Sequence, residues 1–155
     1  MGKDLNKVMS KNLKTIMAGT SLFIAQNKMT EHRIRHLPVV DETDEIVGVL
    51  SQRDVRAAQG ALDAPVDFFM SAPVEYLAED TSIRTAALRM IEKKISCLLI
   101  ADKNNEAIGI VTTDDLLWFL AHQIEDENKK DQPLVGAMTM QTIGQVATML
   151  SNMGI

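Results

Sequence analysis

Two short stretches carry the residue types that could do chemistry. One is Gly48-Val49-Leu50-Ser51-Gln52-Arg53-Asp54, the other Gly109-Ile110-Val111-Thr112-Thr113-Asp114-Asp115. In each, an apolar run opening at glycine ends in a hydroxyl residue, and an acid follows three positions later. That spacing starts a helix: the hydroxyl accepts from a free backbone N–H, and an acid in the first turn suits the positive end of the helix dipole. No ligand is needed for such a turn. The same spacing has a second reading. A strand that runs straight into a helix leaves backbone N–H groups pointing outward, where a phosphate is stabilised. Ser51 or Thr112 can donate to a phosphate oxygen, and Asp54 or Asp115 can accept from the two hydroxyls of a ribose, as acids do in dinucleotide folds. The residue before the acid differs. Arg53 is a good phosphate partner, whereas Asp114 in the corresponding position repels an anion unless it turns to solvent.

The two stretches belong to a duplication. Subtracting positions gives one constant offset: 109 − 48 = 61, 112 − 51 = 61 and 115 − 54 = 61. Without a gap, that offset carries Met9-Ser10 onto Met70-Ser71, Thr20-Ser21 onto Thr81-Ser82 and Ala25 onto Ala86. It carries Met29, Glu31, Ile34, Leu37, Asp41 and Glu45 onto identical residues as well. Residues 8–60 and 69–121 share thirteen identities, where chance gives about three.

Each copy must position its turn with the same elements. After Thr20-Ser21, Leu22, Ala25 and Met29 fall at helical spacing, as do Ile83, Ala86, Met90 and Ile91 after Thr81-Ser82. A short apolar run follows at 34–40 and 95–101, then a polar turn, then a second apolar run at 46–50 and 107–111. Two such runs predict a strand hairpin, and Pro38 predicts an edge or a bend. A helix starts at Ser51 or Thr112. The unit is a short extended lead-in, helix, strand, strand, helix. One copy buries little surface alone, so two copies related by a pseudo-twofold axis are expected to pack their sheets together. Residues 8–60 form repeat 1, 61–68 a linker that Pro65 keeps non-helical, and 69–124 repeat 2.

Residues 125–155 lie outside the duplication. A polar loop is expected to lead into an amphipathic C-terminal helix, with Thr142 and Gln145 as a capping box and Ile143, Val146, Leu150 and Met153 as its stripe. Trp118 stands among Leu116, Leu117, Phe119 and Leu120, which predicts a buried helix at an interface.

Bulk properties narrow the function classes. The chain has 155 residues, 46% hydrophobic and 24% charged, which suits a soluble globular protein. A net charge of −5 argues against non-specific nucleic-acid binding. The lone Cys97 excludes an internal disulfide and suits a reducing, cytoplasmic setting. No apolar stretch reaches ~18 residues, so no membrane span is expected, and the N-terminus has no secretory core. Asn6 stands where a myristoylation signal needs Ser or Thr. His32, His36 and His122 have no partners at metal spacing, and no histidine is placed to activate Ser51. An enzyme is therefore not expected.

The run Ile34–Asp54, with the lead-in Val8-Met9-Ser10, the stretch 20–29 and their echoes, resembles a tandem pair of cystathionine-β-synthase (CBS) domains, a Bateman module. The resemblance spans about residues 8–121. It implies a mixed α/β (α+β) fold of two β-α-β-β-α repeats paired through their sheets, with adenosine-containing ligands such as AMP, ADP, ATP or S-adenosylmethionine between the repeats. It implies two clefts. In the first, Ser51 and Arg53 would meet phosphate and Asp54 the ribose, with Thr81, Ala86, Ile95 and Ser96 opposite. In the second, Thr112 and Asp115 would take those parts, with Thr20, Ala25 and Ile34 opposite and Arg35 and His36 aimed at phosphate. It further implies a regulatory module without a required cofactor, a homodimer and a separate effector protein. The alternative is a ligand-free dimerisation or scaffold module.

Overall fold

The computed structural model describes residues 4–58 and 60–131, with side chains to residue 124. The expected helix over 142–153 lies outside the described residues. The chain divides into two units at Leu116. The first holds both three-stranded sheets and the residues of the clefts described below.

Each repeat builds a three-stranded sheet covered by helices. In repeat 1, β1 (Ile16–Met17), β2 (His36–Val40) and β3 (Ile46–Ser51) lie in that order, with α1 (Leu22–His32) and α2 (Gln52–Ala57). In repeat 2, β4 (Tyr76–Ala78), β5 (Cys97–Ala101) and β6 (Ala107–Thr112) lie in the same order, with α3 (Ile83–Lys93) and α4 (Thr113–Asp131). The first pair in each sheet is parallel and the second an antiparallel hairpin. Ser21 and Ser82 cap α1 and α3, accepting from Ile24 N at 3.4 Å and Thr85 N at 3.1 Å. The helical stripes are buried as the spacing requires: Leu22, Ala25 and Met29 in α1, Ile83, Ala86 and Met90 in α3. Ile91 instead faces solvent.

The hairpins turn alike because Asp41 and Asp102 each fold their side chain back onto the turn. Asp41 Oδ1 accepts from Thr43 N and Glu45 N, and Asp102 Oδ1 from Asn104 N and Glu106 N. Those identities in the duplication are structural.

The edge position that Pro38 suggested is not found. Pro38 lies in β2, the central strand, and is fully buried. Its equivalent, Leu99, donates its N–H to Glu75 O at 3.0 Å. Proline has no N–H to give there, and the parallel pairing in repeat 1 starts only at Ile16–Val39, one position beyond its counterpart at Tyr76–Leu99. The proline is accommodated by shortening β1 rather than by placing β2 at an edge.

The lead-ins cross over. Ser10 of repeat 1 bridges Ile110 of repeat 2, and Ser71 of repeat 2 bridges Val49 of repeat 1. The methionine before each serine lies over the opposite glycine: Met9 over Gly109 and Met70 over Gly48. A Cβ at Gly109 would stand 2.7 Å from Met9 Sδ, so these two glycines mark a close approach between repeats. Leu5, fully buried, also ties the N-terminus to repeat 2 through its N–H on Thr81 O at 3.1 Å.

In the second unit, α4 carries Leu117, Trp118, Leu120 and Ile124, all at least half exposed. Within the described residues of one chain, these side chains are not buried. Trp118 stacks on its own helix, its ring 3.9 Å from that of His122. Among the described residues, no helix is long and apolar enough to cross a membrane.

Candidate functional site

The hydroxyl and the aspartate form the same box twice. Ser51 Oγ accepts from Asp54 N at 3.2 Å, and Ser51 N donates to Asp54 Oδ2 at 2.8 Å. Thr112 Oγ1 accepts from Asp115 N at 3.4 Å, and Thr112 N donates to Asp115 Oδ2 at 2.7 Å. Each hydroxyl donates to the same Oδ2. The cap thus engages one carboxylate oxygen and leaves Oδ1 for a further donor. The strand start is tied to the same point. Gln52 N donates to Arg35 O at 2.8 Å, and Thr113 N to Ser96 O at 3.0 Å.

Ser51, Arg53 and Asp54 of repeat 1 line one cleft with Ile95 and Ser96 of repeat 2. Thr112 and Asp115 of repeat 2 line another with Ile34, Arg35 and His36 of repeat 1. Each cleft therefore draws on both repeats. Thr20, Ala25, Thr81 and Ala86 line neither. Ala25 and Ala86 are completely buried on the helical stripes, and the carbonyls of Thr20 and Thr81 accept from Val66 N and Leu5 N. The two alanines pack the helical stripes, and the contacts given for the two threonines are made by their backbone.

Sequence reasoning missed three cations. Lys94 lines the first cleft, and Arg33 with Lys14 the second. Arg33 and Lys94 correspond at the 61-residue offset and both end a helix in the left-handed region, at φ 53° and 55°. Glycine is the usual residue there, and a residue with a Cβ costs about 1–2 kcal/mol in that conformation. A basic side chain kept at both strained positions beside a cleft suits an anion-facing role. Reading position 33 against 94 for matching charge would have found the pair.

Between the clefts lies a basic hollow lined by Arg35, His36, Arg53, Arg56 and Ser96. His36 Nε2 and Ser96 Oγ stand 2.8 Å apart and join the repeats. Burial, then the Arg35 guanidinium, holds the His36 imidazole below its ordinary value against the opposing pull of Asp114 and Asp54. Burial and the Asp54 charge push the Cys97 thiol, on the wall of the first cleft, up to about 11. It is a poor nucleophile at neutral pH. Arg35 Nη2 donates to Asp114 Oδ2, a second link between the repeats. Among the described residues, no group of three or more His, Cys, Asp or Glu is placed to hold a metal.

The family model described as the CBS domain matches residues 3–61 and 66–122. The chain is 36% identical over 113 residues to an uncharacterized protein, MK0525, of Methanopyrus kandleri, covering 68% of this chain and 58% of that one. It is 31% identical over 135 residues to an inosine-5'-monophosphate dehydrogenase of Methanocaldococcus jannaschii, covering 87% of this chain and 27% of the enzyme. The chain thus spans between about a quarter and three-fifths of these relatives. Among solved structures, it is similar to the CBS domain pair of protein MJ0100 in complex with 5'-methylthioadenosine and S-adenosyl-L-methionine. The TM-score is 0.73 at 25% identity, over 79% of this chain and 99% of that one. It is also similar to CBSX2 in complex with AMP, with a TM-score of 0.67 at 25% identity, over 80% of this chain and 99% of the other. CBS pairs are regulatory rather than catalytic.

Proposed function

Because this chain belongs to the CBS domain family, we propose that it is a regulatory module holding an adenosine-containing ligand (AMP, ADP, ATP or S-adenosylmethionine) between its repeats and signalling the bound state to another protein. The observation that carries this reading is the composition of each cleft. A Ser/Thr-x-x-Asp box from one repeat faces a strand start and a C-terminal helix base from the other. In this reading the free Oδ1 atoms of Asp54 and Asp115 accept from ribose hydroxyls, and Ser51, Arg53, Thr112, Arg35 and His36 serve the phosphate end. Complexes of MJ0100 and CBSX2 with adenosine compounds support the ligand class.

A ligand touching both repeats has different affinities for different arrangements of them, which is the condition for a shift. Exposed Phe23, Ile24, Leu88 and Ile91 on α1 and α3 favour a homodimer. A cytoplasmic setting is supported by the lone Cys97.

A ligand-free scaffold has one observation in its favour: both boxes are satisfied internally as ordinary caps. Calorimetric titration of the chain with the four ligands separates the readings. Saturable binding of at least one is expected; no heat from any of them at millimolar concentration leaves the scaffold.

A further inference from the structure

The two clefts share a frame, but their ends nearest the hollow differ by two exchanges at the 61-residue offset. Arg53 corresponds to Asp114, and Arg35 to Ser96. In the first cleft, Arg53 lines both cleft and hollow, and no ion pair holds it among the described residues. In the second cleft, Arg35 is already committed to the carboxylate of Asp114. Their side chains are 53% and 61% exposed, so a ligand can reach the pair. Lys14 and Arg33 also line the second cleft but not the hollow. Arg35 is the cationic side chain common to both, beside the neutral His36 imidazole. Asp114 takes no part in the helix cap, which Asp115 makes with Thr112.

We infer that Asp114 sets the charge of the ligand that the second cleft accepts: a nucleoside with a neutral or cationic 5' arm is favoured there, and a 5'-phosphate is disfavoured. The first cleft, with Arg53 uncommitted, favours the phosphate. A phosphate approaching Arg35 must displace a carboxylate that neutralises the guanidinium, or sit beside it against like-charge repulsion. A sulfonium or ammonium arm meets the same carboxylate as a counter-charge.

The inference rests on the clefts being adenosine-ligand sites. The test uses the full chain carrying Asp54→Ala, which confines binding to the second cleft, with and without Asp114→Asn. Adenosine, AMP and S-adenosylmethionine are the probes. Asp114→Asn is expected to tighten AMP about ten-fold, the size of one recovered charged contact. Adenosine should change less than about two-fold and S-adenosylmethionine should weaken several-fold. Adding Arg35→Ala should abolish the AMP gain. AMP and adenosine changing together, AMP unchanged, or a gain that survives Arg35→Ala would overturn the inference. If the unmodified chain binds none of the three probes, nor ADP or ATP, the adenosine reading itself fails and this inference with it.

Discussion

His36 stands where the repeats meet, 2.8 Å from Ser96 Oγ and on the wall of both clefts and the hollow. Because burial and Arg35 depress its pKa, the folded chain holds the imidazole neutral while the unfolded chain takes up a proton first as pH falls. The stability tied to this group is therefore complete above the unfolded value of 6.5 and is lost as pH falls from there through the lower folded value. Urea unfolding at about pH 7.5 and pH 5.5 should show a larger loss for the natural chain than for His36→Gln; equal losses would contradict this. Single residues also mark where sequence reading stops. Ser51, Asp54, Thr112 and Asp115 were legible as helix caps by their spacing, and the structure sets those caps on the cleft walls. Ala25 and Ala86 were matched across the repeats for a different reason, as small residues on buried helix stripes. Arg33 and Lys94 escaped notice because exposed bases at a helix end are ordinary until their backbone conformation is known.

The elements were legible from periodicity: both hairpins, both capped helices and the turns at Asp41 and Asp102 stand where spacing put them. Pro38 was misleading because its missing N–H was assigned to the strand's place in the sheet. The parallel neighbour starts one residue later instead. The glycine pairs are a clearer case of what contacts decide. At Gly48, the three atoms nearest an added Cβ all belong to the Met70 side chain, with its Cγ at 2.8 Å. At Gly109 it would also meet the backbone oxygen of Ser10 at 3.1 Å, which belongs to the lead-in bridge. Gly48→Ala and Gly109→Ala should each cost about 1–3 kcal/mol of stability, the usual range for overpacking. In urea unfolding, Met70→Ala should relieve most of the Gly48→Ala cost, whereas Met9→Ala should relieve only part at Gly109. Additive effects at Gly48 and Met70 would show that the two do not press together.

The lead-in exchange binds the two repeats into one architecture. Met9 and Ser10 complete repeat 2, Met70 and Ser71 complete repeat 1, and His36–Ser96 and Arg35–Asp114 cross between them. The constant offset in the sequence made the duplication readable, but not the exchange, because identical residues at matched positions fit a pairing within one copy or between copies. The exposed apolar side chains of α4 were likewise beyond reach, since an apolar helix reads the same whether its cover comes from its own chain or from a partner. Under the proposed function, the crossing arrangement gives two separable sites in one molecule. The most direct test is the stoichiometry of adenosine-ligand binding in the natural chain, in Asp54→Ala, in Asp115→Ala and in the double variant, with circular dichroism confirming that each is folded. Each single substitution should remove one site and spare the other, and the double variant should bind nothing. Stoichiometry and affinity unchanged in the double variant would contradict the assignment of the clefts.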